Sequence, residues 1–182
     1  LVYIKALLES WKQYAAESGR SLNDFARFCY HIPFTRMAEK AHQKLAKGTS
    51  DDELRRVIGE SLIYSRQAGN CYSASLYVGL CSLLDNAAEE LSGKRIGLYS
   101  YGSGCVGEFF SGTVQPGYRA ALFADAHRQM LAGRTELTFQ QYEDIYHYGI
   151  PVDGGEYTFP QYRTGPFRFA GMKEHKRIYE PA

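Results

Sequence analysis

A chain of 182 residues with a formal net charge of +1, 45% apolar and 23% charged side chains, is long enough and apolar enough for a soluble globular domain with a real core. The near-neutral balance gives no electrostatic case for nucleic acid or membrane surfaces. No apolar run approaches the roughly 18 residues that a membrane-spanning helix needs.

The predicted elements begin at once. Ile4, Leu7, Leu8, Trp11, Tyr14 and Ala15 share one helical face, so an amphipathic helix is expected over about residues 3–17, with Gly19 as its stop. The chain enters this helix from Leu1 without a methionine or a signal-peptide pattern, and a cut inside a larger protein is expected. Ser21-Leu22-Asn23-Asp24 suits a short helical turn before the apolar, β-prone run Phe25–His31. Pro33 biases Ile32 away from helical geometry, so strand and following helix are separated by a turn. His31, at the end of that strand, is placed either to project into a cleft or to serve as an ordinary structural histidine.

The helix after Pro33 presents Arg36, Lys40 and Lys44 at i, i+4 and i+8, a basic stripe whose plain reading is a solvated face. Ser50-Asp51-Asp52-Glu53 matches a capping box in which serine hydroxyl and glutamate satisfy backbone donors reciprocally. Leu54, Val57, Ile58 and Leu62 then give a helical stripe running towards Arg66, broken at Ala68-Gly69-Asn70-Cys71-Tyr72. From about Tyr72 to Glu90 a second helix alternates small residues (Ser73, Ala74, Ser75, Gly79, Cys81, Ser82) with leucines, so it is expected to pack on nearly all sides in the middle of the fold. Asn70 sits at its start, where side-chain capping is the plain role.

Residues 96–101 and 105–114 read as two strands around Gly102-Ser103-Gly104. The flanking glycines let backbone approach a ligand closely, or make a simple hairpin turn; the spacing is not that of a Walker loop. Pro116-Gly117 is expected to open a helix through about Ala132. Thr138-Phe139-Gln140-Gln141 caps another, to about Tyr148. Residues 149–166, rich in Pro and Gly, read as irregular surface chain, residues 167–172 as a last strand and 173–179 as a basic tail. Cys29, Cys71, Cys81 and Cys105 lack metal-type spacing and read as reduced thiols, which favours a cytoplasmic protein.

Three stretches together carry a resemblance. Tyr30-His31-Ile32-Pro33-Phe34-Thr35-Arg36-Met37, Gly69-Asn70-Cys71-Tyr72-Ser73-Ala74-Ser75-Leu76-Tyr77 and Ser100-Tyr101-Gly102-Ser103-Gly104 resemble the C-terminal half of hydroxymethylglutaryl-CoA (HMG-CoA) synthases. Glu108-Phe109-Phe110-Ser111-Gly112 and Arg134-Thr135-Glu136-Leu137 are similar to the bacterial members. The resemblance implies an α/β, thiolase-like fold: the second βαβαβ repeat of a condensing enzyme with family-specific helical insertions, occupying residues 1–182.

It also implies roles. His31 matches a catalytic histidine that helps bind acetoacetyl-CoA and polarises its carbonyl, and Asn70 the asparagine of a Cys-His-Asn constellation. A neutral amide can donate to a substrate carbonyl without adding a charge. Tyr72 and Tyr101 match tyrosines lining an acyl pocket, and Ser103 with Gly104 a substrate-contacting turn. Arg36 and Lys40 match a basic pair that contacts CoA, although the family usually has lysine where Arg36 stands. The substrates implied are acetyl-CoA and acetoacetyl-CoA, with no further cofactor and no metal, in a cytoplasmic homodimer of the mevalonate pathway.

The nucleophilic cysteine and general-base glutamate belong to the family's N-terminal half. None of Cys29, Cys71, Cys105 or Glu108 matches them, so this chain alone is expected to be inactive. Two alternatives stand beside this reading: a polyketide β-branching synthase acting on carrier-protein-bound acyl groups, and a non-catalytic acyl-CoA-binding module.

Overall fold

Strand β1 (Arg27–Tyr30) is buried at every position, the pattern of a strand covered on both faces. It pairs in parallel with β2 (Arg95–Gly102), which pairs antiparallel with β3 (Val106–Thr113), giving the order β1-β2-β3. The computed structural model describes residues 2–102, 104–161 and 165–182. By its contacts the chain divides into two compact units, Leu1–Arg134 and Thr135–Ala182.

In the first unit, side-chain alternation along the strands sorts two apolar clusters onto opposite faces of the sheet. Phe28, Tyr30, Tyr99 and Phe109 face one cluster, completed by Tyr3 and Leu7 of α1 (Val2–Ser18), Ala38 and Ala41 of α2 (Thr35–Leu45) and Leu54, Val57 and Ile58 of α3 (Asp51–Ile58). Cys29, Ile96 and Leu98 face the other, made with Leu76 and Leu83 of a later helix, and with Ala87 and Leu91. Gly97 is required where it stands. A Cβ there would lie 2.6 Å from the Phe28 ring and 2.9 Å from that of Phe109.

The crossover from β1 to β2 holds α2, α3 and the helical segments that follow them. After α3 the chain breaks at Gly59 into a 3-10 turn, Glu60–Leu62, and then α4 (Ile63–Ala68), instead of running on as one helix. The break is stitched from outside: the buried Ser82 hydroxyl donates to the Glu60 carbonyl at 2.5 Å and accepts from the Tyr64 N–H at 3.2 Å. Glu60 itself turns towards Arg27, whose almost fully buried guanidinium bridges Glu60 (2.8 Å) and Glu89 (2.5 Å). The Ser50 hydroxyl caps α3 by accepting from the Glu53 N–H. The reciprocal half of the expected box is missing, because the Glu53 carboxylate pairs with Arg56 at 2.6 Å.

The helix expected from Tyr72 to Glu90 is shorter. A 3-10 turn, Tyr72–Ala74, leads into α5 (Ser75–Asn86). Nor is it packed all round: Ser75, Leu76, Gly79, Ser82 and Leu83 are buried, while Tyr77 and Cys81 are exposed. The small residues serve one close-packed face; Gly79 meets the Ile32 side chain and the Ser61 carbonyl. The helix expected after Pro116-Gly117 is split into a 3-10 turn, Tyr118–Ala121, and α6 (Ala124–Ala132). It is tied down by His127, whose Nδ1 lies 2.6 Å from Asp85 Oδ2, the same atom that accepts from Tyr64 Oη at 2.7 Å.

The second unit carries α7 (Phe139–Tyr146), opened by the expected Thr138–Gln141 capping box, and an antiparallel sheet β4-β5-β6. Its strands are β4 (Tyr157–Thr158), inside the stretch read as irregular, β5 (Phe167–Lys173) and β6 (Lys176–Pro181). The expected basic tail is therefore half of a hairpin. Glu174 and His175 both take left-handed φ values, 51° and 63°, and make its two-residue turn without a glycine or asparagine. Among the described residues no helix is long and apolar enough to cross a membrane.

Candidate active site

Because β1 and β2 run in parallel, their carboxyl ends lie side by side, the place where open α/β sheets hold ligands. His31 follows β1 directly, and its backbone N–H donates to the Tyr99 carbonyl at 2.7 Å, extending the ladder one residue beyond the strand. The His31 carbonyl accepts from Tyr3 Oη at 2.7 Å, and Tyr99 Oη donates to the Tyr3 carbonyl at 3.1 Å. The histidine backbone is thus held from both sides before its side chain is considered. Its ring is half-buried, 6.4 Å from Tyr3 and 6.1 Å from Tyr101 between centroids. Burial lowers the imidazole pKa, which favours the neutral ring.

The start of α5 meets this histidine. Ser75 Oγ is 3.0 Å from His31 Nδ1 and also accepts the Ile32 N–H at 3.0 Å. Asn70, five residues earlier in the same segment, is exposed. Its Oδ1 accepts the Tyr72 N–H at 2.8 Å, an Asx turn that supports Tyr72 at a left-handed φ of 50°. With the oxygen so engaged, the amide NH2 is the end left to donate. The 3-10 turn that follows lies against β2. Residues 31 and 70–75, far apart in the chain, are therefore brought to one end of the sheet.

The remaining expected residues divide. Tyr101, half-buried near the end of β2, packs at tilted angles against the rings of Tyr3, Tyr99 and His31, and its phenol pKa is raised, chiefly by burial. Tyr72 is 75% exposed, so within this chain its ring lines no closed pocket. Gly104 is exposed in the turn between β2 and β3, where the Cys105 N–H donates to the Gly102 carbonyl at 3.0 Å; Ser103 lies outside the described residues. Arg36 and Lys40 are exposed on α2 and line a groove of about 330 Å³ with Arg55 and Arg66, opposed by Glu39 and Asp51. That groove is lined by none of His31, Asn70, Tyr72 or Tyr101. Cys29 is buried, and burial pushes its thiol pKa far up, the opposite of what a nucleophile needs. Glu108 is an exposed strand carboxylate, as expected.

Two residues of this site escaped sequence reasoning. Tyr3 lies at the start of the expected first helix but outside its apolar stripe, and Ser75 reads as one small residue among several; nothing in their spacing marks the hydroxyls that hold His31.

Held in this way at the end of a parallel strand pair, a neutral imidazole can donate to a carbonyl oxygen and stabilise the charge it gathers under nucleophilic attack. The sequence profile described as "Hydroxymethylglutaryl-coenzyme A synthase C terminal" matches residues 40–148. The chain is 38% identical over 154 residues to the hydroxymethylglutaryl-CoA synthase of Enterococcus faecalis, a match covering 83% of this chain and 40% of that protein. It is 35% identical over 130 residues to the polyketide 3-hydroxy-3-methylglutaryl-ACP synthase PksG of Bacillus subtilis, covering 67% of this chain and 30% of the relative. Among solved structures it is similar to an HMG-CoA synthase complexed with CoA, with a TM-score of 0.86 and 37% identity over 99% of this chain and 47% of that one. The chain thus spans less than half of each of these relatives. Its fold is α/β and thiolase-like, and the chain belongs to the C-terminal family of the hydroxymethylglutaryl-CoA synthases.

Proposed function

We propose that this chain supplies the histidine–asparagine side and the CoA-contacting helix of an HMG-CoA synthase, condensing acetyl-CoA with acetoacetyl-CoA and water to give HMG-CoA and CoA in the mevalonate pathway. The observation that carries the reading is the placement of His31: a half-buried ring whose pKa burial lowers, fixed at the carboxyl end of a parallel strand pair beside the segment that begins with Asn70. In this reading a cysteine outside the chain carries the acetyl group as a thioester, and a glutamate outside the chain takes a proton from its methyl group. The resulting carbanion attacks the ketone carbon of acetoacetyl-CoA, and the ketone oxygen becomes an alkoxide facing the His31 and Asn70 donors. Hydrolysis of the thioester then frees the product and the cysteine. Tyr72 and Tyr101 border the acyl groups, and Arg36 and Lys40 meet CoA phosphate from the groove on α2. The working protein is a cytoplasmic homodimer.

A second reading has its own support, the identity to the Bacillus subtilis polyketide synthase, and replaces acetyl-CoA by an acyl carrier protein as donor. The wider coverage of this chain by the Enterococcus faecalis relative, 83% against 67%, favours the free CoA ester. The deciding experiment joins this chain to the N-terminal part of the Enterococcus faecalis relative and follows acetoacetyl-CoA consumption. Condensation with acetyl-CoA is expected, with His31→Ala abolishing turnover while CoA still binds. Arg36→Ala and Lys40→Ala should each weaken CoA binding about fivefold at low salt, worth on the order of 1 kcal/mol, and by less as salt rises. A folded chimera that binds CoA without condensing would refute the assignment. Activity with acetyl-carrier protein alone would select the second reading, and turnover by the chain by itself would refute the division of labour.

A further inference from the structure

We propose that Ser75 is the positioning residue of His31, its hydroxyl holding Nδ1 as an acceptor so that the neutral ring carries its proton on Nε2. The inference rests on the reading of His31 as a carbonyl-polarising group and names what fixes that group's chemistry. Ser75 is 1% exposed, so its hydroxyl must find its partners within the protein. One lone pair accepts the Ile32 N–H, a contact whose direction is beyond choice because the amide can only donate. The hydroxyl proton then needs an acceptor, and the partner the described residues offer it is His31 Nδ1, 3.0 Å away.

Were Nδ1 protonated instead, it would donate to the second lone pair of Ser75 Oγ, and the buried hydroxyl proton would be left without an acceptor among the described residues. The imidazolium form meets the same conflict, and burial independently disfavours it. Neutral imidazole has a donor at one nitrogen and an acceptor at the other, so an occupied acceptor at Nδ1 leaves Nε2–H as the donor. The division of labour around this residue is complete. Tyr3 and Tyr99 fix the His31 backbone through its carbonyl and N–H, and Ser75 fixes the ring. One serine also couples two elements, since the hydroxyl that orients the ring closes the chain at Ile32 just before Pro33.

The test needs no substrate and uses the chain as it stands, labelled with ¹⁵N and read by long-range proton–nitrogen correlation of its histidine rings. His31→Gln assigns the signals. Above the ring pKa, His31 of the wild type should show a single tautomer with protonated Nε2 and unprotonated Nδ1. Ser75→Ala should lose that single-tautomer signature, and Ser75→Thr, which keeps the hydroxyl, should restore it. If Ser75→Ala does not fold, the wild-type and Ser75→Thr spectra decide the matter alone. A proton on Nδ1 in the wild type would overturn the proposal, as would a folded Ser75→Ala with an unchanged tautomer. In the condensing chimera, Ser75→Ala should lower kcat on the order of tenfold with little change in KM, and Ser75→Thr should recover it. The spectra report on the ring whether or not the chimera condenses, so failure of the enzymatic assignment and failure of this proposal are told apart.

Discussion

Acidification should expose the cost of a second histidine. His42 on α2 is 3% exposed, its Nδ1 lies 2.8 Å from the buried Tyr30 Oη, and its ring sits 4.8 Å from that of Phe28. Burial holds its pKa at about 4, against a weaker upward pull from Glu53, whereas in the unfolded chain it titrates near 6.5. Tyr30 Oη and His42 Nδ1 share one hydrogen bond, and charging the ring would place a cation in this buried, aromatic surrounding. Between pH 6.5 and 4 the unfolded chain therefore binds a proton that the folded chain refuses. The resulting stability is fully present above pH 6.5 and is lost as pH falls towards 4. At about 1.4 kcal/mol per tenfold change in proton concentration, the loss reaches about 3 kcal/mol, a large share of the 5–15 kcal/mol typical of a folded protein. Urea denaturation of wild type and His42→Gln, measured from pH 7.5 down to pH 4, isolates this contribution. Glutamine keeps an acceptor for Tyr30 and carries no proton equilibrium, and the carboxylates titrating in both proteins cancel to first order. The stability gap between the two should shift by about 3 kcal/mol against the wild type over that range. A constant gap, or one moving in favour of the wild type on acidification, would refute the reasoning.

Gly97→Ala should destabilise the first unit by about 1–3 kcal/mol, because the new methyl group must displace the buried Phe28 and Phe109 rings; Gly112→Ala, with nothing within 4 Å, is the control that should melt as wild type does. Equal melting of the two variants would contradict the packing argument. Glu60→Ala should cost about 2–4 kcal/mol in chemical denaturation, since it leaves the buried Arg27 with Glu89 alone; a neutral effect would show that the inner carboxylate contributes nothing net.

What the sequence disclosed follows from how each signal is written. The strand before His31, the turn at Pro33 and the amphipathic stripe of α1 are local patterns, and the structure reproduces them within a residue or two. The placement of His31 near the 70–75 segment was legible through the resemblance of whole motifs and through no periodicity. Long-range polar contacts were not legible. A lone arginine in an apolar run gives no hint that it bridges Glu60 and Glu89, and Ser75 and Ser82 differ from their small neighbours only in what lies across from them. The reciprocal cap at Glu53 failed because Arg56, three residues on, offers a charged donor in place of a backbone amide. The hairpin between β5 and β6 was hidden because its turn lacks the usual residues and β6 is exposed throughout, leaving no alternation to read.

The parallel pairing of β1 with β2 sets the order of events during synthesis. Arg27 registers with Ile96, a separation of 69 residues (96 − 27), so the first strand has no partner until the whole helical crossover has been made. Contacts of such range form slowly, because the entropy of closing a long loop is lost before any pairing repays it. A ribosome must carry the chain past Gly102 before Phe28 and Tyr30 can find their sheet, and until then they offer a sticky edge to chaperones and to other nascent chains. The His31 N–H, which donates to the Tyr99 carbonyl, therefore has no partner there until β2 has been made.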